Sequence, residues 1–296
     1  MNHPIRTWSA GGVIFLALGL TATALLWHGR APRLPLPAAI SAAEPAAPAA
    51  GVAAPAPAAA PTEHPATKAQ PAAEREAASP LPQNETLEFT AQLAKISNVA
   101  SLRFVAGEHR TFLGRAAWHL QAFARTQNPL RMVFVLDDQF DSYSDAATLA
   151  SLQYELRLNE RGQKVESVLR MSTGREAAPA DATAARVLPG TRDPLGMLQY
   201  LRTVNWAKSP EVRSPVFDGH KLYDVRARLA GTAEKVTVPA GEFAASKIDL
   251  HIFENGTESK DTHIAVYLAN TAARTPVLLE AVLPLGTARV ELLHAP

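Results

Sequence analysis

Leu152-Gln153-Tyr154-Glu155-Leu156-Arg157-Leu158-Asn159 alternates apolar and polar residues without a break, and Glu160-Arg161-Gly162-Gln163 follows it with turn chemistry. A period of two puts Leu152, Tyr154, Leu156 and Leu158 on one face of a strand and Gln153, Glu155 and Arg157 on the other. One face is then buried and one wet, the habit of antiparallel sheets; parallel strands covered by helices read as unbroken apolar runs. The same alternation recurs on both sides. Upstream, Leu87, Phe89, Ala91 and Leu93 interleave with Glu88, Thr90 and Gln92. Downstream it returns at Tyr223-Val225-Ala227-Leu229, Ile248-Leu250-Ile252, Ile264-Val266-Leu268 and Val277-Leu279-Ala281-Leu283. The pattern predicts roughly ten to twelve strands.

Turn residues punctuate the strands at Ala106-Gly107, Asp218-Gly219, Asn255-Gly256 and Leu285-Gly286. Charged residues running to Asp261 predict a loop longer than two residues after Asn255. In Val236-Thr237-Val238-Pro239-Ala240-Gly241-Glu242-Phe243, Pro239 fixes φ and Gly241 permits a positive φ, so the pair brackets a turn after which Phe243 re-enters the core. Thr173 to Arg192, rich in Ala and polar residues, reads as a surface excursion with one short strand at Arg186 to Leu188. A helix over Asp193 to Thr203 then interrupts the strands. Asp193 suits the N-cap and Pro194 the first helical position, and Leu195, Leu198 and Leu201 form an apolar face. That face needs a partner, and the apolar side of the sheet is the one available. So many one-faced strands cannot stay flat with open edges. The expected fold is mainly β: a highly curved antiparallel sheet or incomplete β-barrel with one packed helix. A two-sheet sandwich is the rival.

Three segments precede or make up this domain. Residues 1–30 contain an uncharged stretch, Thr7 to Trp27, long enough at about 1.5 Å per residue to span a bilayer core, with Trp8 and Trp27 at its ends. It reads as an uncleaved transmembrane anchor; a signal peptide cleaved near Ala22-Thr23-Ala24 is the rival. Residues 31–83 hold 21 Ala and 12 Pro and lack apolar periodicity, which predicts a disordered, partly extended linker. Residues 84–296 form the β-rich domain, in which 24 basic and 24 acidic residues balance. Anchor, linker and an Ala- and Arg-biased composition point to the bacterial inner membrane, single pass, with the C-terminal domain in the periplasm. Thr7 to Trp27 is the expected membrane contact.

A formal net charge of +1 argues against nucleic acid as a partner. With no cysteine, disulfides, Cys-ligated zinc, thiol chemistry and a lipidated N-terminal Cys are excluded. The acidic run Asp137 to Asp145 lacks the glycine and terminal glutamate of a calcium loop and reads as a solvated strand end or loop. His109, His119, His220, His251 and His263 are scattered; His251 and His263 would face each other if the Asn255 turn joins their strands, but two ligands make a poor site. No nucleophile elbow, phosphate loop or dinucleotide fingerprint occurs. No catalytic residue, cofactor or metal is therefore assigned.

Leu87-Glu88-Phe89 after a Pro-rich leader, Asp193-Pro194-Leu195 leading to Leu198-Gln199-Tyr200-Leu201-Arg202, Val216-Phe217-Asp218-Gly219, Val236-Thr237-Val238-Pro239-Ala240-Gly241-Glu242-Phe243, and the closing pair Thr275-Pro276-Val277 and Leu283-Pro284-Leu285-Gly286 occur in that order. In these motifs the chain resembles a bacterial envelope family known as domain of unknown function 3108. The resemblance implies export and no defined activity, so no functional residues follow from it; Asp193, Pro194, Asp218, Gly219, Pro239, Gly241 and Phe243 stand as structural positions. The expected function is a binding or envelope-maintenance module for a lipid-like or cell-envelope ligand, whose partner is a hydrophobic ligand or an envelope protein. A scaffold reaching from the inner membrane to a partner complex is the alternative, and a hydrolase a distant third.

Overall fold

A computed structural model describes residues 81–174, 182–259, 263–283 and 286–296. The expected anchor and nearly all of the linker lie outside the described residues, among which no helix is long and apolar enough to cross a membrane.

Among the described residues the fold is a single curved sheet of fourteen strands wrapped around one α-helix. The first half comprises β1 (Glu85–Leu93), β2 (Ile96–Phe112), β3 (Arg115–Thr126), β4 (Asp137–Asp145), β5 (Ser151–Glu160), β6 (Gln163–Ser172) and β7 (Thr183–Arg186). Helix α1 (Pro194–Thr203) follows. Then come β8 (Glu211–Phe217), β9 (Leu222–Val238), β10 (Gly241–Glu254), β11 (Thr257–Glu258), β12 (His263–Ala269), β13 (Pro276–Leu283) and β14 (Gly286–Leu292). The order across the sheet is β7-β6-β5-β4-β3-β2-β1-β14-β13-β12-β10-β9-β8, with β11 on β10. Every named pair is antiparallel except β6–β7. The terminal strands β7 and β8 do not pair with each other, so the sheet is open and not a closed barrel.

The inward rows are the apolar ones that the alternation marks. Leu87, Phe89, Phe104, Leu120, Phe140, Tyr154, Leu156, Val225, Ile248, Val266, Leu279 and Val290 are all buried in one core. The gap between the sheet's ends is stitched by the residues that enter α1. Ser151 N donates to Thr191 O (2.9 Å), Arg192 N donates to Pro215 O (3.0 Å) and Phe217 N donates to Arg192 O (2.8 Å). The β8–β9 turn also reaches across: a Cβ on Gly219, whose φ is +103°, would lie 3.1 Å from Leu156 Cδ1 and Cδ2 of β5.

Five sequence expectations need correction. Fourteen strands stand where ten to twelve are expected, because strands as short as β11, with two residues, and β7, with four, are too brief to show alternation. Ala106-Gly107 is not a turn but lies inside β2, where the register with β3 shifts between Ala106 and His109. A β-bulge absorbs the small residues there. The run Asp137 to Asp145 is not a solvated loop; it is β4, a central strand with Asp138, Asp141 and Asp145 buried. Its carboxylates are tolerated because neighbouring strands supply donors to them. The short strand after β6 spans Thr183–Arg186 rather than Arg186 to Leu188, and Thr191 and Arg192 beyond it are buried. Asn255 and Gly256, at φ +50° and +80°, close their hairpin in two residues, since both adopt the left-handed conformation such a turn requires.

Candidate functional site

The site is built around α1, which is held at both ends. At its N-terminus, Asp193 is fully buried. Its Oδ1 accepts from Gly196 N at 2.9 Å, and its Oδ2 accepts from Ser142 Oγ at 2.5 Å and from Ser151 Oγ. Burial pushes the Asp193 carboxyl pKa up, and the bonds from Ser142, Ser151 and the Gly196 amide oppose that shift without cancelling it. A Cβ on Gly196 would lie 2.9 Å from Ser144 Oγ and 3.0 Å from Leu149 O, so glycine lets the first turn press onto β4 and the turn after it.

At the other end, the Arg202 side chain is wholly buried. Its guanidinium grips Glu85 through Nη1–Oε2 at 2.5 Å and Nη2–Oε1 at 2.9 Å. It also donates to Ala273 O from Nε and Nη2 (3.1 and 2.9 Å) and to Gln199 Oε1 (3.1 Å). Arg274 then caps the helix, donating to the carbonyls of Arg202 (3.1 Å) and Val204. Helix C-termini leave such carbonyls without partners and favour a cation there.

Between α1 and the sheet lies an apolar cleft. Leu195, Met197, Leu198 and Leu201 of α1 face Phe89, Leu102, Phe104, Val225, Leu250, Ile264 and Val290, and Arg103 is the single charged residue of the lining. The free space is 70 Å³, about half of the ~150 Å³ apolar cavity that admits benzene. Leu102, Leu198 and Leu250 are only half-buried, so the cleft communicates with solvent. The interior is thus mostly filled by the helix.

A second cluster lies on the convex face. Asp141 accepts from His119 Nε2 (2.9 Å), Gln121 Nε2 (2.7 Å), Gln139 Nε2 (2.7 Å) and Arg157 Nη1 (2.7 Å). Burial opposes its charge, yet these partners prevail and lower its pKa to about 2. Tyr143 stacks on His119 (4.7 Å between centroids) and Phe112 on Tyr143 (4.0 Å). Three residues along β4, on the concave face, Asp138 has the opposite fate. Burial raises its pKa to about 7, against one bond from Asn159 N at 2.9 Å.

A family model described as protein of unknown function, DUF3108, matches residues 88–293. The chain belongs to this family. No curated protein matches it. Among solved structures, the DUF3108 domain is similar to a beta-barrel-like protein of domain of unknown function DUF1849 from Brucella abortus, at 12% identity and a TM-score of 0.46, covering 71% of this chain and 95% of that one. It is also similar to a hypothetical protein from Chlamydia trachomatis, at 8% identity and a TM-score of 0.31, covering 71% and 89%.

The motif residues of the DUF3108 domain do not converge. Asp193 and Pro194 start α1, and Pro194 alone of the seven lines the cleft. Asp218 and Gly219 form the β8–β9 turn, where Asp218 Oδ1 accepts from the amides of His220 and Lys221, both at 2.7 Å. Pro239 lies in the β9–β10 turn, Gly241 opens β10 at φ +127°, and Phe243 packs on the core edge. His251 and His263 sit on the paired strands β10 and β12, one step beyond the Leu250–Ile264 pair, and His251 Nδ1 meets Glu258 Oε1 at 2.7 Å. Among the described residues no group of three His, Asp or Glu could hold a metal ion. Ser142, Ser151 and Asp193 cluster, but Asp193 and its two serines are sealed in the core with α1 over them. Sequence reasoning did not bring out the Glu85–Arg202 pair or the Asp141 cluster. The first spans 117 residues; the second is hinted at by the alternation of His119-Gln121, Gln139-Asp141 and Gln153-Glu155-Arg157.

Proposed function

We propose that the DUF3108 domain is a binding module of the bacterial cell envelope that takes the end of an apolar chain into the cleft between α1 and the sheet. The observation carrying this reading is the cleft itself: apolar on nearly every side, partly open, and framed by a helix fixed at both ends. Small-molecule sites have this character, a concave apolar lining with few polar groups. The volume suits a chain terminus rather than a whole lipid. In this reading Thr7 to Trp27 anchors the chain in the inner membrane and the Ala/Pro segment lets the domain work in the periplasm.

The test is photolabelling of the full chain with a fatty acid bearing a diazirine at its methyl end, followed by peptide mass spectrometry. The label is expected on α1 and on the strands bearing Leu102 and Leu250, and Leu198→Trp, which fills the cleft, should abolish it. Label spread over the convex face, or unchanged in Leu198→Trp, refutes the reading.

The small size of the cleft favours a second reading, a scaffold that binds a partner through its surface. Removing half of residues 31–83 should then abolish function while the domain stays folded; an unchanged phenotype removes the reason to invoke reach.

A further inference from the structure

Apart from the parallel β6–β7 pair, the sheet's strands alternate in direction, so its turns fall into two sets at opposite ends. One set holds the β1–β2, β3–β4, β5–β6, β8–β9 and β13–β14 connections; the other holds β2–β3, β4–β5, β9–β10 and β12–β13, together with α1. Eight large apolar side chains are exposed among the described residues, and six belong to the first end. They are Ile96 after the β1–β2 turn, Met132, Val133 and Val135 in the β3–β4 loop, Val165 after the β5–β6 turn, and Val282 at the end of β13. Met132 and Val133 are 81% and 76% exposed. Monomeric domains scatter exposed apolar residues singly; a concentration at one end calls for a partner.

The charges say which partner. Lys95, Arg161 and Lys164 stand exposed on or beside the same turns, Arg161 with its guanidinium over the Phe134 ring at 5.2 Å. Arg131 beside Met132 is bound to Asp137 at 2.7 Å. The acidic residues facing this group are Asp137, Asp138 and Glu160; Asp137 is engaged by Arg125 and Arg131, and burial raises the pKa of both Asp138 and Glu160. On the far side of the same end, Glu254 and Glu258 are paired with Lys221 and His251. Apolar tips interleaved with exposed cations match an anionic lipid surface, where aliphatic groups enter the interface and Lys and Arg meet the headgroups. A protein partner favours a continuous patch with aromatic anchors; the exposed large residues here include no Trp, Tyr or Phe. The chain enters β1 at the opposite end.

We infer that the rim formed by the β1–β2, β3–β4 and β5–β6 turns docks on an anionic lipid surface, with Met132 and Val133 inserted and Lys95, Arg161 and Lys164 on the headgroups. The inference holds whether or not the cleft takes a ligand.

The absence of cysteine makes the test direct. Met132→Cys and Leu113→Cys, the latter at the opposite end, are each labelled with a fluorophore in the full chain. The chains are mixed with vesicles of brominated phosphatidylcholine, with or without phosphatidylglycerol. The residue 132 label should lose most of its fluorescence to bromine quenching on the phosphatidylglycerol vesicles, and should regain it at high salt. The residue 113 label should keep its signal. Lys95→Glu combined with Arg161→Glu and Lys164→Glu should restore the residue 132 signal; salt reversal reports the same electrostatics without a mutation. Equal quenching at both positions overturns the inference, as does a residue 132 signal indifferent to phosphatidylglycerol.

Discussion

Removing the carboxylate of Glu85 tests how α1 is held. Arg202 is wholly buried, and its guanidinium has Glu85 as its one anionic partner, with the carbonyls of Ala273 and Gln199 completing its bonds. Glu85→Ala leaves that charge uncompensated inside the core, which costs about 3–5 kcal/mol. Glu85→Gln keeps an acceptor and loses the charge, so its cost should be smaller, on the order of 2 kcal/mol. The double variant Glu85→Leu/Arg202→Met removes both charges and should recover most of the loss, because a desolvated ion pair gains little over well-packed apolar groups. Urea unfolding of the full chain, followed by far-ultraviolet circular dichroism, measures all three. The decisive comparison is the double variant against Glu85→Ala. If Glu85→Ala costs less than about 1 kcal/mol, the range of exposed pairs, water reaches Arg202 and the helix is not fixed as described.

The two shifted aspartates of β4 should give opposite pH signatures. Asp138 has its folded pKa raised to about 7, so its contribution falls as pH rises from about 4 to 7; Asp138→Asn should raise the melting temperature at pH 8 and flatten that slope, with a ceiling of about 4 kcal/mol. Asp141 has its folded pKa lowered to about 2, so its contribution is full above about pH 4 and lost as pH falls towards 2; Asp141→Asn should cost about 2 kcal/mol at pH 7 and little at pH 2 by the same melts. Gly196→Ala should destabilise by about 1–3 kcal/mol despite alanine's better helix propensity, because its Cβ meets Ser144 and the Leu149 carbonyl; a stabilised variant in thermal melts would show that the first turn of α1 is loosely seated.

Much of this architecture is legible in the chain because inward residues repeat every second position: Leu87-Phe89-Ala91 and Ile264-Val266-Leu268 are buried as their alternation requires. The helix is legible because Asp193-Pro194 is a local signal, read without knowing what surrounds it. What escapes is non-local. Asp137 to Asp145 looks solvated since carboxylates are buried only when paired, and the pairing groups, His119, Gln121 and Arg157, come from β3 and β5. Glu85 and Arg202 look like ordinary surface charges for the same reason. Six of the seven motif residues fix turns and a helix start rather than a site, because glycine, proline and aspartate there report backbone demands, not chemistry; Phe243 packs on the core edge.

The same physics explains why the cleft is narrow and why it persists. An open sheet with an apolar concave face needs something to cover that face, and α1 does so with a short helix of ten residues. A helix that short is marginal by itself and owes its stability to tertiary contacts. Here those contacts are polar at both ends and apolar between: Asp193 on Ser142 and Ser151, Arg202 on Glu85, and the leucine face across the cleft. The polar ends set where α1 sits, so the apolar middle cannot settle further into the sheet, and 70 Å³ stays open. Loosening either end should therefore change the cleft before it unfolds the domain. In the diazirine experiment, Glu85→Gln should alter labelling at urea concentrations where circular dichroism is still native. If labelling and sheet content are instead lost together, helix and sheet form one cooperative unit and the cleft has no motion of its own.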